Sequence, residues 1–583
     1  MRLIEALEKI NAVPVGSRPA ESVFLACGFT PLHLKTFLTA ALQERSLGNR
    51  IVCDTGVFGD LVGNLDRARS LEQRTVAAVV EWADLDARLS YRSLGGWLPT
   101  MHAEMLSTAR LSLKRIEESL RSLSERALIA VCPPTLPLPP VAVTAEWQAS
   151  GFELALRAAV AETFARIGES LRIRVVGTQR LDQVSPLPQR LDAASELNSG
   201  FPYTLEHAAS LSTLLADVLR PPSPKKGLII DLDDTVWRGL VGEIGSDAVS
   251  WTLDRHAQVH GLFQQLAAAL AEAGVLLAIA SKNDPSVAEA ALKREDMVLK
   301  PEHVFPTLVH WRRKSESVTS ILETWNIAAD AVVFVDDSAI ELAEVRAHHP
   351  DMECVLFPKD DPRAVVQLLR RLRDTFGKPM VLEEDRLRRD SIRRSSEVRD
   401  AIGSDGTEQF LSQLESVITL NFQPDPNDTR AFELLNKTNQ FNLNGKRLTD
   451  SEWRALVEDP ESFVLRISYR DKFGPLGNIA VVAGTASGAS LVIRHWVMSC
   501  RAFARRIEHQ ALRAVFDRFG VDAIDLEFRQ TERNEPTRTF LAAFAGPEGD
   551  TLPLTLPRER FDQHCPPTYH RIEHAGREIN QHV

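Results

Sequence analysis

The stretch IIDLDDT ends an apolar run in three carboxylates, Asp231, Asp233 and Asp234. An aspartate at a strand tip can attack phosphorus and form an aspartyl phosphate, which splits one hard displacement into two easier ones. Asp233, two residues on, faces the same way along an extended path. It can protonate a leaving group and then deprotonate water. Three more pieces follow in order. A second apolar run ends in Ser281-Lys282-Asn283, whose serine hydroxyl can hold a phosphoryl oxygen. Lys314 offers a fixed positive charge to pentacoordinate phosphorus, and a third run ends in Asp336-Asp337. Mg²⁺ prefers about six hard oxygen ligands at roughly 2.0–2.1 Å, drawn from one or two carboxylates, phosphate and water. Asp231, the Asp233 main-chain carbonyl and Asp336 meet that need, with Asp337 behind them. DLDDT alone also reads as an acidic strand-to-turn cap. Four pieces at successive strand ends do not.

The elements that must position these residues are strands separated by helices. GLIIDLD, VLLAIASK and AVVFVDDS read as buried strands, and their alternation with helices implies a mainly parallel sheet with ligands outside its carboxyl ends. Only a short stretch separates the first strand from the helix HAQVHGLFQQLAAALAEAG. A large cap domain has no room there, so the site is expected to be open to a bulky or protein-borne substrate. Upstream, SVFLACGF, RIVCDTG, VAAVVEW, ALIAVCPP and RIRVVGTQ predict a second α/β region. The proline clusters Pro133–Pro140 and Pro221–Pro224 interrupt it and close it. Downstream, FVLRISYRD, GNIAVVAGT and SLVIRHWVMS precede the helix RRIEHQALRAVFDRF, an α+β pattern. The expected division is residues 1–220, 221–380, a charged helical connector over 381–405, and 406–583.

Hydrophobic content of 44% and charged content of 25% are ordinary for a globular protein, and a net charge of −11 argues against a nucleic-acid partner. The six cysteines (Cys27, Cys53, Cys132, Cys354, Cys500, Cys565) show no CxxC pair and no disulfide-framework spacing. That pattern suggests a reducing compartment. No signal-peptide core is present, and no apolar run approaches the roughly 20 residues that span a bilayer. A cytoplasmic protein with no membrane partner is expected.

The motifs IIDLDDTVWRGLVGE, ASKND, EDMVLKPEHVF, WRRKSESV and FVDDSAIELAEV resemble the haloacid dehalogenase (HAD) class, and within it the FkbH-like branch of HAD-IIIC phosphatases. LLNKTNQFNLNGKRLT, RDKFGPLGNIAVV and MSCRAFARRIE are similar to that family's acyltransferase-like (GNAT-type) domain. The resemblance runs from about Lys225 to Gly546. It implies a HAD-type Rossmannoid sheet, a GNAT-like α+β domain and Mg²⁺. It further implies a glyceryl transferase/phosphatase of polyketide-type biosynthesis. Such an enzyme takes 1,3-bisphosphoglycerate, removes phosphate, and loads a glyceryl thioester on the phosphopantetheine arm of an acyl carrier protein. Carried across, Asp231 is the nucleophile and Asp233 the acid/base. Ser281 and Lys314 contact phosphate, and Asp231, Asp233 and Asp336 hold the metal. Departures are Asp234 and Ser338, where the family commonly has asparagine, and Ala504 and Arg506, where it has glycine. Without those glycines a backbone cannot approach a pyrophosphate closely, which disfavours free coenzyme A as a donor. The N-terminal region loosely resembles an SGNH-type hydrolase fold. It lacks the expected serine and offers only Cys27, Thr30 and His207, so a non-catalytic docking domain is expected.

Cys500 lies beside Arg501, and a neighbouring cation lowers a thiol from about 8.5 into the range ~3.5–7.5, fit for acyl transfer. The alternative is a small buried hydrophobe. Asn436, Asn439, Gln440, Asn442 and Arg501 are the candidate substrate-binding residues; the amides alternatively form an Asn-rich turn. His495 reads as a strand histidine rather than a base. Competing functions are the same machinery with another three-carbon unit such as lactyl, a simple small-molecule phosphatase, and a carrier-protein-binding scaffold.

Overall fold

The computed structural model describes residues 1–12, 20–46, 50–145, 147–378, 407–438, 441–472, 474–488, 490–499, 502, 505–531, 534–544 and 554–575. The chain divides into two units, Met1–Pro222 and Ser223–Val583. The class expected from sequence, α/β with several sheets, is the class observed.

In the first unit the apolar runs become β1 (Ala20–Cys27), β2 (Arg50–Thr55), β3 (Thr75–Val79), β4 (Leu128–Cys132) and β5 (Ile173–Val175). Among the described residues they form one parallel sheet in the order β2-β1-β3-β4-β5. This is the flavodoxin-like doubly wound order, with helices on both faces. Residues Val76–Val79 of β3 and Ile129–Cys132 of β4 are completely buried, as expected of strands covered on both sides.

The second unit begins with β6 (Gly227–Ile230), β7 (Leu276–Ser281), β8 (Thr307–Val309), β9 (Val332–Asp336) and β10 (Glu353–Leu356). They form a parallel sheet ordered β10-β9-β6-β7-β8. The chain starts in the middle, builds outward to β8, and then crosses back to β9. The switch point therefore lies between β6 and β9, where doubly wound sheets bind ligands. The return crossover is the helix Lys314–Trp325. Its far end is anchored by Trp325, whose Nε1 donates to the Phe305 carbonyl at 2.7 Å. The indole covers Gly227, where any Cβ would lie 2.5 Å from Cζ3. Between β6 and the helix Gln258–Glu272 there is only the four-residue helix Val241–Ile244.

The same unit ends in a mostly antiparallel sheet of β11 (Val417–Asn421), β12 (Phe441–Asn442), β13 (Ser462–Asp471), β14 (Gly474–Ser487), β15 (Ser490–Met498), β16 (Ala523–Leu526), β17 (Leu554–Pro557) and β18 (Arg571–His574). Its path is β17-β16-β15-β14-β13-β11-β18. β15 pairs with β16 at Val492 and Ile493, and with β12 at Val497 and Met498. The helix Ile507–Phe519 connects the parallel pair β15 and β16. No helix among the described residues is long and apolar enough to cross a membrane.

The carboxyl end of the first sheet is filled by a buried polar network. Glu81, just past β3, accepts from the Thr135 and Leu136 amides at 3.2 Å, from the Thr135 hydroxyl and from the Tyr203 hydroxyl at 2.7 Å. The Thr135 hydroxyl spends its proton on Glu81, so it accepts from His207 Nε2 at 3.0 Å, and His207 Nδ1 accepts from Ser185. Burial, with Arg190 nearby, pushes His207 down to about 3, which keeps the imidazole neutral. Glu81→Ala would strand four donors in the interior. We expect it to destabilise the first unit by at least about 3 kcal/mol, read as a lower urea midpoint for that unit; an unchanged midpoint would show that the network is dispensable.

Candidate active site

Asp231 follows β6 directly, its amide still bonded to the Val335 carbonyl of β9 at 3.0 Å. Asp336 ends β9. Lys314 opens the crossover helix and puts its Nζ 2.9 Å from Asp231 Oδ1 and 2.6 Å from Asp336 Oδ2. All three residues are buried. Burial pushes Asp231 up to about 7, against the pull of Lys314 and with the repulsion of Asp336. Burial likewise raises Asp336. For Lys314 burial acts the other way, yet the two carboxylates hold its pKa above the ordinary value. One ammonium thus serves two buried acids and leaves a deficit of positive charge.

That deficit has the form of a cation site. Asp231 Oδ1 is buried, and its charged neighbour there is the shared Lys314 ammonium at 2.9 Å. Ligand oxygens of Asp231, Asp336 and Asp337 all fall within 4.8 Å of one another. Hard carboxylate oxygens at this spacing suit a divalent cation such as Mg²⁺. Asp337 enters this set; the side chain of Asp233 does not.

Asp233 stands in a tight turn instead. Its Oδ1 accepts from Trp237 Nε1 at 2.8 Å and from the Val241 amide at 3.0 Å, which occupies both lone pairs. Oδ2 accepts only from Asn283 Nδ2, at 3.1 Å. Oδ2 is therefore the oxygen with a lone pair left for a proton. Asn283 Nδ2 also donates to the Ser281 hydroxyl at 3.1 Å. The Ser281 oxygen accepts from Asn283, and its hydroxyl also interacts with Asp231. Asn283 joins Ser281 to Asp233. Its only sequence signal was adjacency to Ser281.

A second lysine was not anticipated. Lys359, beyond β10, donates to Asp234 Oδ2 at 2.7 Å and to Asp337 Oδ2 at 2.8 Å. Asp234 has φ +51°, a conformation tolerated by Asp and Asn, and its Oδ1 accepts from the Gly239 amide at 2.8 Å. Burial of Asp234 is outweighed by Lys359 and Gly239, which hold its pKa below the ordinary value. Ser338 caps the helix Ala339–His348 through the Glu341 amide.

Of the remaining candidates, Asn439, Gln440, Cys500 and Arg501 lie outside the described residues. Asn442 is spent on its own turn: Oδ1 accepts from the Asn444 and Gly445 amides, and Nδ2 donates to the Thr438 carbonyl. Asn436 accepts from the Leu448 amide and donates to the Phe432 carbonyl. Both shape the Asn-rich turn rather than present free amides. His495 is half-buried, and desolvation pushes its imidazole down to about 4. In the first unit, burial raises the Cys27 thiol far above its usual range, its Sγ donates to the Phe29 carbonyl, and Thr30 donates to the Ser199 carbonyl. Neither is prepared to act as a nucleophile.

No family model and no curated protein matches the sequence. Among solved structures, the N-terminal part of the protein BF1531 from Bacteroides fragilis, containing a phosphatase domain complexed with Mg, matches with TM-score 0.50 and 19% identity. The match covers 65% of this chain and all of that one. An extracellular lipase from Streptomyces rimosus matches over 34% of this chain and all of that one, at 13% identity and TM-score 0.25, too low to carry weight. The first likeness establishes the fold.

The raised Asp231 pKa has a thermodynamic consequence. A carboxyl that binds its proton more tightly when folded contributes stability at low pH, and loses it as pH rises from 3.8 through about 7. In EDTA, wild type should lose thermal stability across that window relative to Asp231→Asn, by a few degrees in Tm. Parallel pH profiles for the two proteins would contradict this.

Proposed function

We propose that the chain is a Mg²⁺-dependent HAD-type phosphatase working through an aspartyl phosphate on Asp231, and that it couples this step to acyl transfer onto a carrier protein. The observation that carries the phosphatase reading is the buried Asp231–Lys314–Asp336 arrangement at the β6/β9 switch point, short of one positive charge. The fold shared with a chain containing an Mg-bound phosphatase domain supports the choice of ion.

Asp231 attacks phosphorus, the bond to the leaving oxygen breaks, and Asp233 Oδ2 gives that oxygen its proton. Ser281 turns its hydroxyl from Asp231 to a phosphoryl oxygen, and Lys314 balances charge on the others. Water, losing a proton to Asp233 Oδ2, then cleaves the aspartyl phosphate and restores Asp231. Mg²⁺, held by Asp231, Asp336 and Asp337, would neutralise the crowded carboxylates and phosphate when bound. The shortness of the segment in the cap position favours a large substrate over a small one.

The acyl half of the proposal rests on the motif resemblance of residues 406–546 and on the β15–helix–β16 unit. The substrate is 1,3-bisphosphoglycerate. Asp231 removes the phosphoryl group of its monoester, and a thiol attacks the acyl phosphate carbonyl and expels phosphate. Cys500, beside Arg501, is the proposed first acceptor, and the pantetheine thiol of an acyl carrier protein the second.

Asp231→Asn should lower phosphate release by at least about 10³-fold in a folded protein, and EDTA should abolish it with Mg²⁺ restoring it. Near-normal release would remove the assignment. Cys500→Ala should still release phosphate slowly but fail to load a holo carrier protein given 1,3-bisphosphoglycerate, as read by intact carrier mass. Loading at the wild-type rate would mean that transfer bypasses Cys500.

A further inference from the structure

Five carboxylates crowd the carboxyl ends of β6 and β9: Asp231, Asp233, Asp234, Asp336 and Asp337. Lys314 is committed to Asp231 and Asp336. Lys359 bonds the other two strand-end acids that have a lysine partner, Asp234 and Asp337, and so ties the β6 turn to the β9 turn. It binds each carboxylate through a single oxygen, Oδ2. For Asp234 the second oxygen is fixed by the Gly239 amide. For Asp337 the consequence is different, because that carboxylate also offers an oxygen to the group formed with Asp231 and Asp336.

A carboxylate with one oxygen held by an ammonium is fixed in orientation and resists turning both oxygens toward one cation. Released, it can rotate and chelate with both. The distinction matters because Mg²⁺ demands near-octahedral six-coordination at about 2.0–2.1 Å, whereas Ca²⁺ accepts six to eight ligands at about 2.3–2.6 Å and readily takes bidentate carboxylates. We propose that Lys359 is a positioning residue that sets the cation selectivity of the phosphatase site, by pinning Asp337 in a one-oxygen pose that a small six-coordinate ion accepts and a larger ion does not exploit. The lysine touches neither substrate nor metal in this role. It acts through Asp337.

The proposal rests on reading Asp231, Asp336 and Asp337 as a divalent-cation site, and the test separates the two claims. Mg²⁺ and Ca²⁺ are titrated calorimetrically into the full-length wild type, Lys359→Met, Asp337→Asn and the double variant, with Lys359→Gln replacing Lys359→Met should the latter not fold. Loss of a positive charge alone would tighten both ions alike and leave their affinity ratio unmoved. Release of Asp337 should instead shift the ratio toward Ca²⁺ by about tenfold, and the shift should vanish when Asp337→Asn is added. If wild type binds neither ion, the cation-site reading itself fails. If wild type binds Mg²⁺ but the ratio in the lysine variant stays within about twofold of wild type, or if the shift survives Asp337→Asn, the role assigned to Lys359 is overturned.

Discussion

A single ammonium between two buried carboxylates organises the second parallel sheet. Lys314 stands at the first turn of a helix, where the helix dipole disfavours a cation, so helix propensity does not place it there. Asp231 and Asp336 repay the misfit by surrounding Nζ at 2.9 and 2.6 Å. For that meeting to occur, β6 and β9 must be neighbours and the chain must cross back from the sheet edge at β8. The anchoring of Trp325 over Gly227 fixes the helix at the end remote from the chemistry. The sheet order, the crossover and the core beneath it can all be read as the means of bringing one lysine to two aspartates.

Strands β6, β7 and β9 were legible because each is an unbroken apolar run, buried on both faces, with its polar residues held to its carboxyl end. β8 and β10 were not. They are short edge strands of three and four residues with partly exposed positions, and such segments carry too little periodicity to read. β12, a two-residue strand inside an Asn-rich turn, was beyond reach for the same reason. Asp231, Ser281, Lys314 and Asp336 could be read from motif order alone. Lys359 could not, because it stands 125 residues from Asp234 in a segment, PKDDP, that reads only as a turn. Local patterning does not report which strand-end loops meet across a sheet.

The three sheets differ in how they treat their polar groups. At the carboxyl end of the first sheet, every acceptor position of Glu81 and both nitrogens of His207 are committed to internal partners, which gives rigidity and leaves nothing poised for chemistry. At the same end of the second sheet, Asp231 and Asp336 share one ammonium, and Asp233 keeps a lone pair. Unspent bonding capacity in a buried position costs stability and is retained where a ligand can use it. In the third sheet the asparagines of the turn at β12 again satisfy the backbone, so the amide content of that stretch reflects turn geometry.

The central claim is that Asp231 carries the phosphoryl group. It is tested most directly by incubating the protein with Mg²⁺ and acetyl phosphate, quenching, reducing with borohydride and sequencing the peptides by mass spectrometry. An aspartyl phosphate is reduced to homoserine, so the account predicts homoserine at position 231 and unchanged aspartate at 233, 234, 336 and 337. Homoserine at one of those other positions, or at none while phosphate is still released, would contradict it.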